Sequence, residues 1–167
     1  GVTFRNVYLG LRGPNDELTV SDCGFTALPY GLSCLGTALT LEDCSFQGLG
    51  SYPTGAVASP GCEQATVRRC AFGNAKLFFH GVLDFLAEGC SFADGMTGLH
   101  LAGPPAECRG EVNRCSFRDE WVSILSLGVH VELADIATEG GGLGAFIEGG
   151  VFTLTSSAIT GTTAAGA

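Results

Sequence analysis

The sequence predicts an all-β fold, a parallel β-solenoid of about eight rungs, and three observations carry that expectation. A phrase typified by "LTLEDCSF" at residues 39 to 46 recurs along most of the chain. Each copy alternates apolar and polar residues, and a second apolar stretch, usually led by glycine, follows it. No segment sustains a helical period, and 26 glycines against 6 prolines point to many tight turns.

The clearest copies are "LTVSDCGF", "LTLEDCSF", "ATVRRCAF", "LAEGCSF" and "GEVNRCSF", anchored on Cys23, Cys44, Cys70, Cys90 and Cys115. The anchors advance by 21, 26, 20 and 25 residues. Weaker copies complete a set of eight: "VTFRNVYL" puts Val7 in the anchor slot, "VHVELADI" puts Ala134 there and "FTLTSSAI" puts Ser157 there. Apolar residues stand five and three places before the anchor, as Leu39 and Leu41 do, which is a strand with one buried face. Two places after the anchor the column reads Leu9, Phe25, Phe46, Phe72, Phe92, Phe117, Ile136 and Ile159. The gap from Leu41 to Cys44 breaks strict alternation, so a bend must fall near Glu42 and Asp43 if both neighbours face inward.

The second strand follows as "GLSC", "GAVA", "LFFH", "GLHL", "VSIL" and "GAFI". Its expected inward pairs are Leu32 and Cys34, Ala56 and Ala58, Leu77 and Phe79, Leu99 and Leu101, Val122 and Ile124, and Ala145 and Ile147. Two or three short strands per coil of about 21 residues, with insertions at one corner, describe a solenoid whose rungs contact only their neighbours.

The recurring apolar-x-apolar-x-x-Cys-x-Phe phrase with its glycine-led strand resembles the right-handed parallel β-helix repeat of the pectate-lyase-like superfamily, over residues 2 to 160. That fold carries lyases, glycoside hydrolases, tailspikes and adhesins. The resemblance implies a site in an outward groove of the first sheet, with carboxylates for calcium or acid catalysis and an Arg or Lys as base.

Identical slots of neighbouring rungs lie about 4.8 Å apart, so the five anchor cysteines form a ladder. Stacked parallel side chains do not converge as a disulfide requires. No Cys-x-x-Cys spacing offers a zinc site, and slots facing Phe and Leu lack the exposure of a reactive thiol. The ladder cysteines are therefore read as small buried hydrophobes. Cys34, Cys62 and Cys108 stand outside it, and Cys62 with Cys34 or Cys108 is the best disulfide candidate.

At the bend, one outward column reads Arg5, Ser21, Glu42, Arg68, Glu88, Asn113 and Glu132; its neighbour reads Asn6, Asp22, Asp43, Arg69, Gly89, Arg114 and Leu133. Opposite charges on adjacent rungs form a solvated ion-pair ladder in the simpler reading. In the functional one, Asp22 and Asp43 pair as acid and base near Arg69, or with Glu42 they offer oxygens to Ca²⁺, the cofactor such a cluster would take. His80, His100 and His130 lie in no triad context, and His100 should face solvent. Trp121, Tyr30 and Tyr52 fall near turns, where covering a core end competes with stacking on sugar rings. Thr3, Thr19, Thr40 and Thr66 share an outward column continued by Leu86, Glu111, His130 and Thr153. A flat threonine array of this kind raises ice binding as a third function, beside the simpler reading as a β-propensity ladder.

A formal net charge of -9 with scattered basic residues argues against nucleic acid or an anionic membrane as main partner. No apolar run reaches the roughly 20 residues of a spanning helix. The 167 residues read as a single solenoid domain, with ends that look cut or processed. Such a domain is expected to be a segment of a longer solenoid or to stack on copies of itself. The function expected is a non-catalytic extracellular or cell-surface module: a scaffold, fibre segment or adhesin-like surface, with polysaccharide a further partner. The alternative is a polysaccharide lyase or glycoside hydrolase.

Overall fold

A computed structural model describes residues 1–5, 9–11, 17–26, 32–34, 38–48, 54–58, 62–104 and 107–161. Every regular element among them is a β-strand, and the strands wind into a parallel β-helix with three faces. The first sheet stacks Val2–Arg5, Cys23–Thr26, Ser45–Gln47, Ala71–Gly73, Ser91–Ala93, Ser116–Arg118, Ala137–Glu139 and Ala158–Thr160. The second stacks Leu9–Leu11, Leu32–Cys34, Thr54–Ala58, Ala75–His80, Thr97–Ala102, Val122–Leu127 and Leu143–Glu148. The third stacks Glu17–Ser21, Ala38–Glu42, Gln64–Arg68, Asp84–Glu88, Arg109–Asn113, His130–Ala134 and Phe152–Thr155. Among the described residues only the first sheet has eight strands and the other two have seven, so complete turns are fewer than the eight rungs expected.

Each rung follows from its pattern of side chains. In Gln64–Arg68, Ala65 and Val67 are buried while Gln64, Thr66 and Arg68 face out, as period-two alternation requires. The chain then turns through one residue in the left-handed region: Asp22, Asp43, Arg69, Gly89, Arg114, Asp135 or Ser156, with φ between 50° and 63°. This turn lets Leu41 and Cys44 both point inward across a three-residue gap. The bend is tied to the next rung by its own amide, as Asp43 N–H donates to Arg68 O at 3.1 Å and Arg69 N–H to Glu88 O at 2.9 Å.

The core is a set of columns running along the solenoid. Phe4, Phe25, Phe46, Phe72, Phe92 and Phe117 stack with centroids 4.7 to 5.1 Å apart. This is the rung spacing itself, and each such pair adds about 0.5–1.5 kcal/mol beyond its buried area. The thiols of Cys44, Cys70, Cys90 and Cys115 are buried and that of Cys23 is half-buried. Each donates to the carbonyl two residues earlier, across the bend: Cys23 to Ser21 at 3.1 Å, Cys44 to Glu42 at 3.2 Å, Cys70 to Arg68 at 3.3 Å. Cys90 does so to Glu88 at 3.5 Å and Cys115 to Asn113 at 3.4 Å. Ser157 makes the same bond to Thr155 O at 2.7 Å.

Two rungs are framed differently from the sequence expectation. In the first, Val2 pairs with Cys23 and Phe4 with Phe25, so "VTFR" is itself a first-sheet strand. Leu9 belongs to the second sheet opposite Leu32, while Val7 lies outside the described residues. In the seventh, Ala137 pairs with Ser116 and Thr138 with Phe117, so Ile136 fills the cysteine slot and Thr138 the phenylalanine slot. Ala134 instead pairs with Asn113. Neither rung carries a cysteine to fix its frame. In the seventh the slip is two residues, which leaves every side chain on the same face; in the first it is five, from Val7 and Leu9 to Val2 and Phe4.

The second-sheet strands fall where expected, but in Val122–Leu127 the residues in register with the inward Leu99 and Leu101 are Ile124 and the buried Ser126, while Val122 pairs with Thr97. Leu32, Cys34, Leu77, Phe79, Leu99, Leu101 and Ile124 are buried, while Val122, Ala145 and Ile147 are half-buried. The side chains of Ala56 and Ala58 lie outside the described set.

Candidate functional site

The bend column gathers most of the charge that the sequence singled out. Arg69 Nε and Nη2 donate to the two carboxylate oxygens of Asp43 at 2.8 and 2.7 Å. Arg69 also lies 3.8 Å from Glu42, and Arg68 bridges Glu42 at 3.5 Å and Glu88 at 3.1 Å. Arg114 reaches the other oxygen of Glu88. Three carboxylates and three guanidiniums thus alternate along the solenoid, and their charges cancel. Hydrogen bonding from Arg69 holds the Asp43 carboxyl below its usual range, and Asp43 in turn raises Arg69. Arg114, then Arg68, lower Glu88 in the same way.

Asp22 and Asp43 stand on neighbouring rungs and line one shallow concavity of about 390 Å³ with Gly1, Thr3, Gly24 and Ser45. The structure therefore places Asp22 beside Asp43, and Arg69 on Asp43 with Glu42 next to it, while Asp22 and Arg69 stand two rungs apart. Asp43 offers little to a proton or a cation in this state, because both of its oxygens are engaged by one guanidinium. Among the described residues, no group of three or more His, Cys, Asp and Glu is arranged to hold a metal ion.

The remaining column assignments shift with the corrected rungs. Asn113 pairs with Ala134, and Ala134 with Thr155, so Glu132 leaves the first bend column. Arg5, paired with Thr26, belongs to the first sheet. Asp135 takes the bend position expected for Leu133, and Asn6 lies outside the described residues. The threonine column keeps Thr19, Thr40 and Thr66 in direct register, then runs Leu86, Glu111, Glu132 and Thr153. Thr3 lies in another sheet and His130 opposite Arg109.

Reframing that column exposes a site missed in the sequence. The outer face of the third sheet is concave, about 500 Å³, and lined by Thr66, Asp84, Arg109, Glu111, His130 and Glu132 among others. Glu111 and Glu132 face each other across paired strands, and Arg109 Nε donates to Asp84 at 2.8 Å. Placing His130 where Glu132 belongs hid the carboxylate pair.

All eight cysteines are free in this structure, including the candidates Cys34, Cys62 and Cys108. Cys62 and Cys108 are buried at the corners leading into third-sheet strands. Burial, then the neighbouring Cys34, push the Cys62 thiol up to about 12. In the ladder the proximity of the Cys70 thiol pulls Cys44 down and that of Cys44 raises Cys70, while burial opposes ionisation of both.

Two further residues depart from expectation. Trp121 does not cover a core end; it is 65% exposed at a corner, its ring lying over Gly142. His100 is half-buried rather than solvated, its ring tilted 36° against Phe78 with centroids 4.4 Å apart. Tyr30 and Tyr52 lie outside the described residues. No family model, curated protein or solved structure matches the chain.

Proposed function

We propose that this chain is a non-catalytic β-helix module of pectate-lyase-like architecture. In this reading it is an extracellular or cell-surface scaffold whose ends pair with further rungs, of a longer chain or of a second copy. One observation supports it above the others. In the last rung, inward-slot residues meet solvent, Leu154 at 42% and Ile159 at 46% exposed, whereas Leu133, one rung inside, is 2% exposed. At the opposite end Val2 is 57% exposed. Open strand edges and open core columns at both ends are templates for another rung. Light scattering of the chain should show concentration-dependent assembly that Leu154→Lys with Ile159→Lys abolishes. A monomer unchanged at high concentration would reject the reading.

A second reading, a polysaccharide lyase or glycoside hydrolase, is favoured by the third-sheet concavity with its Glu111–Glu132 pair. Uronic-acid and neutral polysaccharides, with and without Ca²⁺, test it against Glu132→Gln and Asp43→Ala. Turnover lost in either variant would sink the non-catalytic reading.

A further inference from the structure

We propose that the outer face of the second sheet binds an oxyanion, carboxylate or phosphate, carried on an apolar body, in a basic nest around Phe78. In Ala75–His80 the side chains of Ala75, Leu77 and Phe79 are buried, which turns Lys76, Phe78 and His80 outward. Lys76 Nζ lies 5.3 Å from the Phe78 ring centroid. The His80 ring lies 5.6 Å from it at 7°, and His100, in direct register with Phe78, lies 4.4 Å away. Three of the chain's few basic side chains therefore converge on one ring, in a protein of formal charge -9.

Nothing described neutralises them. Among the described residues, none of the three forms an ion pair. The nearest acid along the flanking column is Glu148, which follows His80, Ala102 and Leu127 in register, three rungs or about 14 Å away. His100 Nε2 is buried without a hydrogen-bond partner, an uncompensated polar atom of the kind that a ligand acceptor would satisfy. Burial lowers the pKa of Lys76, and burial, then Lys76 and His80, lower that of His100. An oxyanion would relieve this repulsion. Leu125 and then Phe146 continue the Phe78–His100 column and leave an apolar strip beside the nest; Phe146 is 45% exposed.

The test follows the histidine ring protons by NMR during titration with benzoate, inorganic phosphate and the neutral control benzyl alcohol. Benzoate and phosphate should give saturable shifts at His80 and His100 and raise the His100 titration midpoint. Affinity should fall as pH rises from about 6 to 8, because the bound anion favours the charged imidazole. Lys76→Gln should weaken binding about tenfold without moving the thermal melt, and His100→Phe should keep the ring contact with Phe78 but lose the response. The two active probes distinguish a carboxylate ligand from a phosphate one. Benzoate no tighter than phosphate would overturn the role of the apolar strip. Shifts that fail to saturate, or that chloride or benzyl alcohol reproduces, would overturn the site.

Discussion

Arg69 grips both carboxylate oxygens of Asp43 from the next rung, and both residues sit in the left-handed backbone region, at φ 51° and 53°. The pair spans two strained bends, since that region costs a non-glycine residue roughly 1–2 kcal/mol. An ion pair this exposed contributes little, because water and salt screen it. Arg69→Gly, which loses the pair but relieves the strain, should therefore leave the urea-unfolding midpoint at or above that of the parent. Arg69→Ala, which loses the pair and keeps the strain, should be the less stable of the two.

The phenylalanine column and the cysteine column should answer mutation unequally. Phe46 lies between Phe25 and Phe72 at 4.8 and 5.0 Å, and Phe46→Ala should cost roughly 3–5 kcal/mol. Cys44→Ala removes a small side chain and the weak bonds to Glu42 O and Val20 O, so it should fold and cost about 1–2 kcal/mol. Cys44→Ser, which copies the arrangement at Ser157, should lie between the parent and the alanine variant. Equilibrium unfolding with matched slopes checks the order.

Glu120 gives the structure a pH dependence. It is 1% exposed, and burial, only partly offset by the Gly95 backbone amide, pushes its pKa from 4.5 up to about 7. The folded state then holds a proton that the unfolded chain releases, so stability falls as pH rises from about 4.5 to 7. At about 1.4 kcal/mol per pH unit the whole loss is about 3 kcal/mol. The gain from Glu120→Gln should therefore grow across that window and level off above it. Asp43 and Glu88, held low by their arginines, have the opposite sign: their stabilisation is lost as pH falls below the ordinary carboxylate range. A Glu120→Gln gain that stayed constant with pH would show the carboxyl to be partnered.

Thr138 occupies the phenylalanine slot, 3% exposed, with an unpartnered hydroxyl. Thr138→Val keeps the shape and removes the stranded group, so it should raise stability by about 1 kcal/mol. The bond from Thr160 Oγ1 goes to the Thr138 carbonyl and survives the change. A melting temperature that fell would refute the assignment.

The middle of the solenoid was legible because each rung there carries a cysteine followed two places later by phenylalanine. From Cys23 to Cys115 the strands, the bend and the inward face all follow from that phrase. Where Ile136 replaces cysteine, two frames two residues apart satisfy the same alternation, and only strand pairing decides between them. The charge ladder could be anticipated because Glu42, Arg68 and Glu88 share a position relative to their anchors. Glu120 could not, because its burial depends on flanking rungs: a Cβ on Gly95 would lie 2.6 Å from its Oε2. His100 was misjudged because alternation gives the face a side chain points to, while Phe78 on the next rung decides how much water reaches it.

The thiol slots also equip each central rung with its own chemical reporter. Cys23 is half-buried, while Cys44, Cys70, Cys90 and Cys115 are closed from solvent and bonded to backbone carbonyls. An alkylating reagent can reach them only when the coil around them opens, so the labelling rate at each cysteine measures the opening free energy of that rung. A gradient from Cys23 inward would record fraying from one end, whereas equal rates would record a solenoid that opens as one unit.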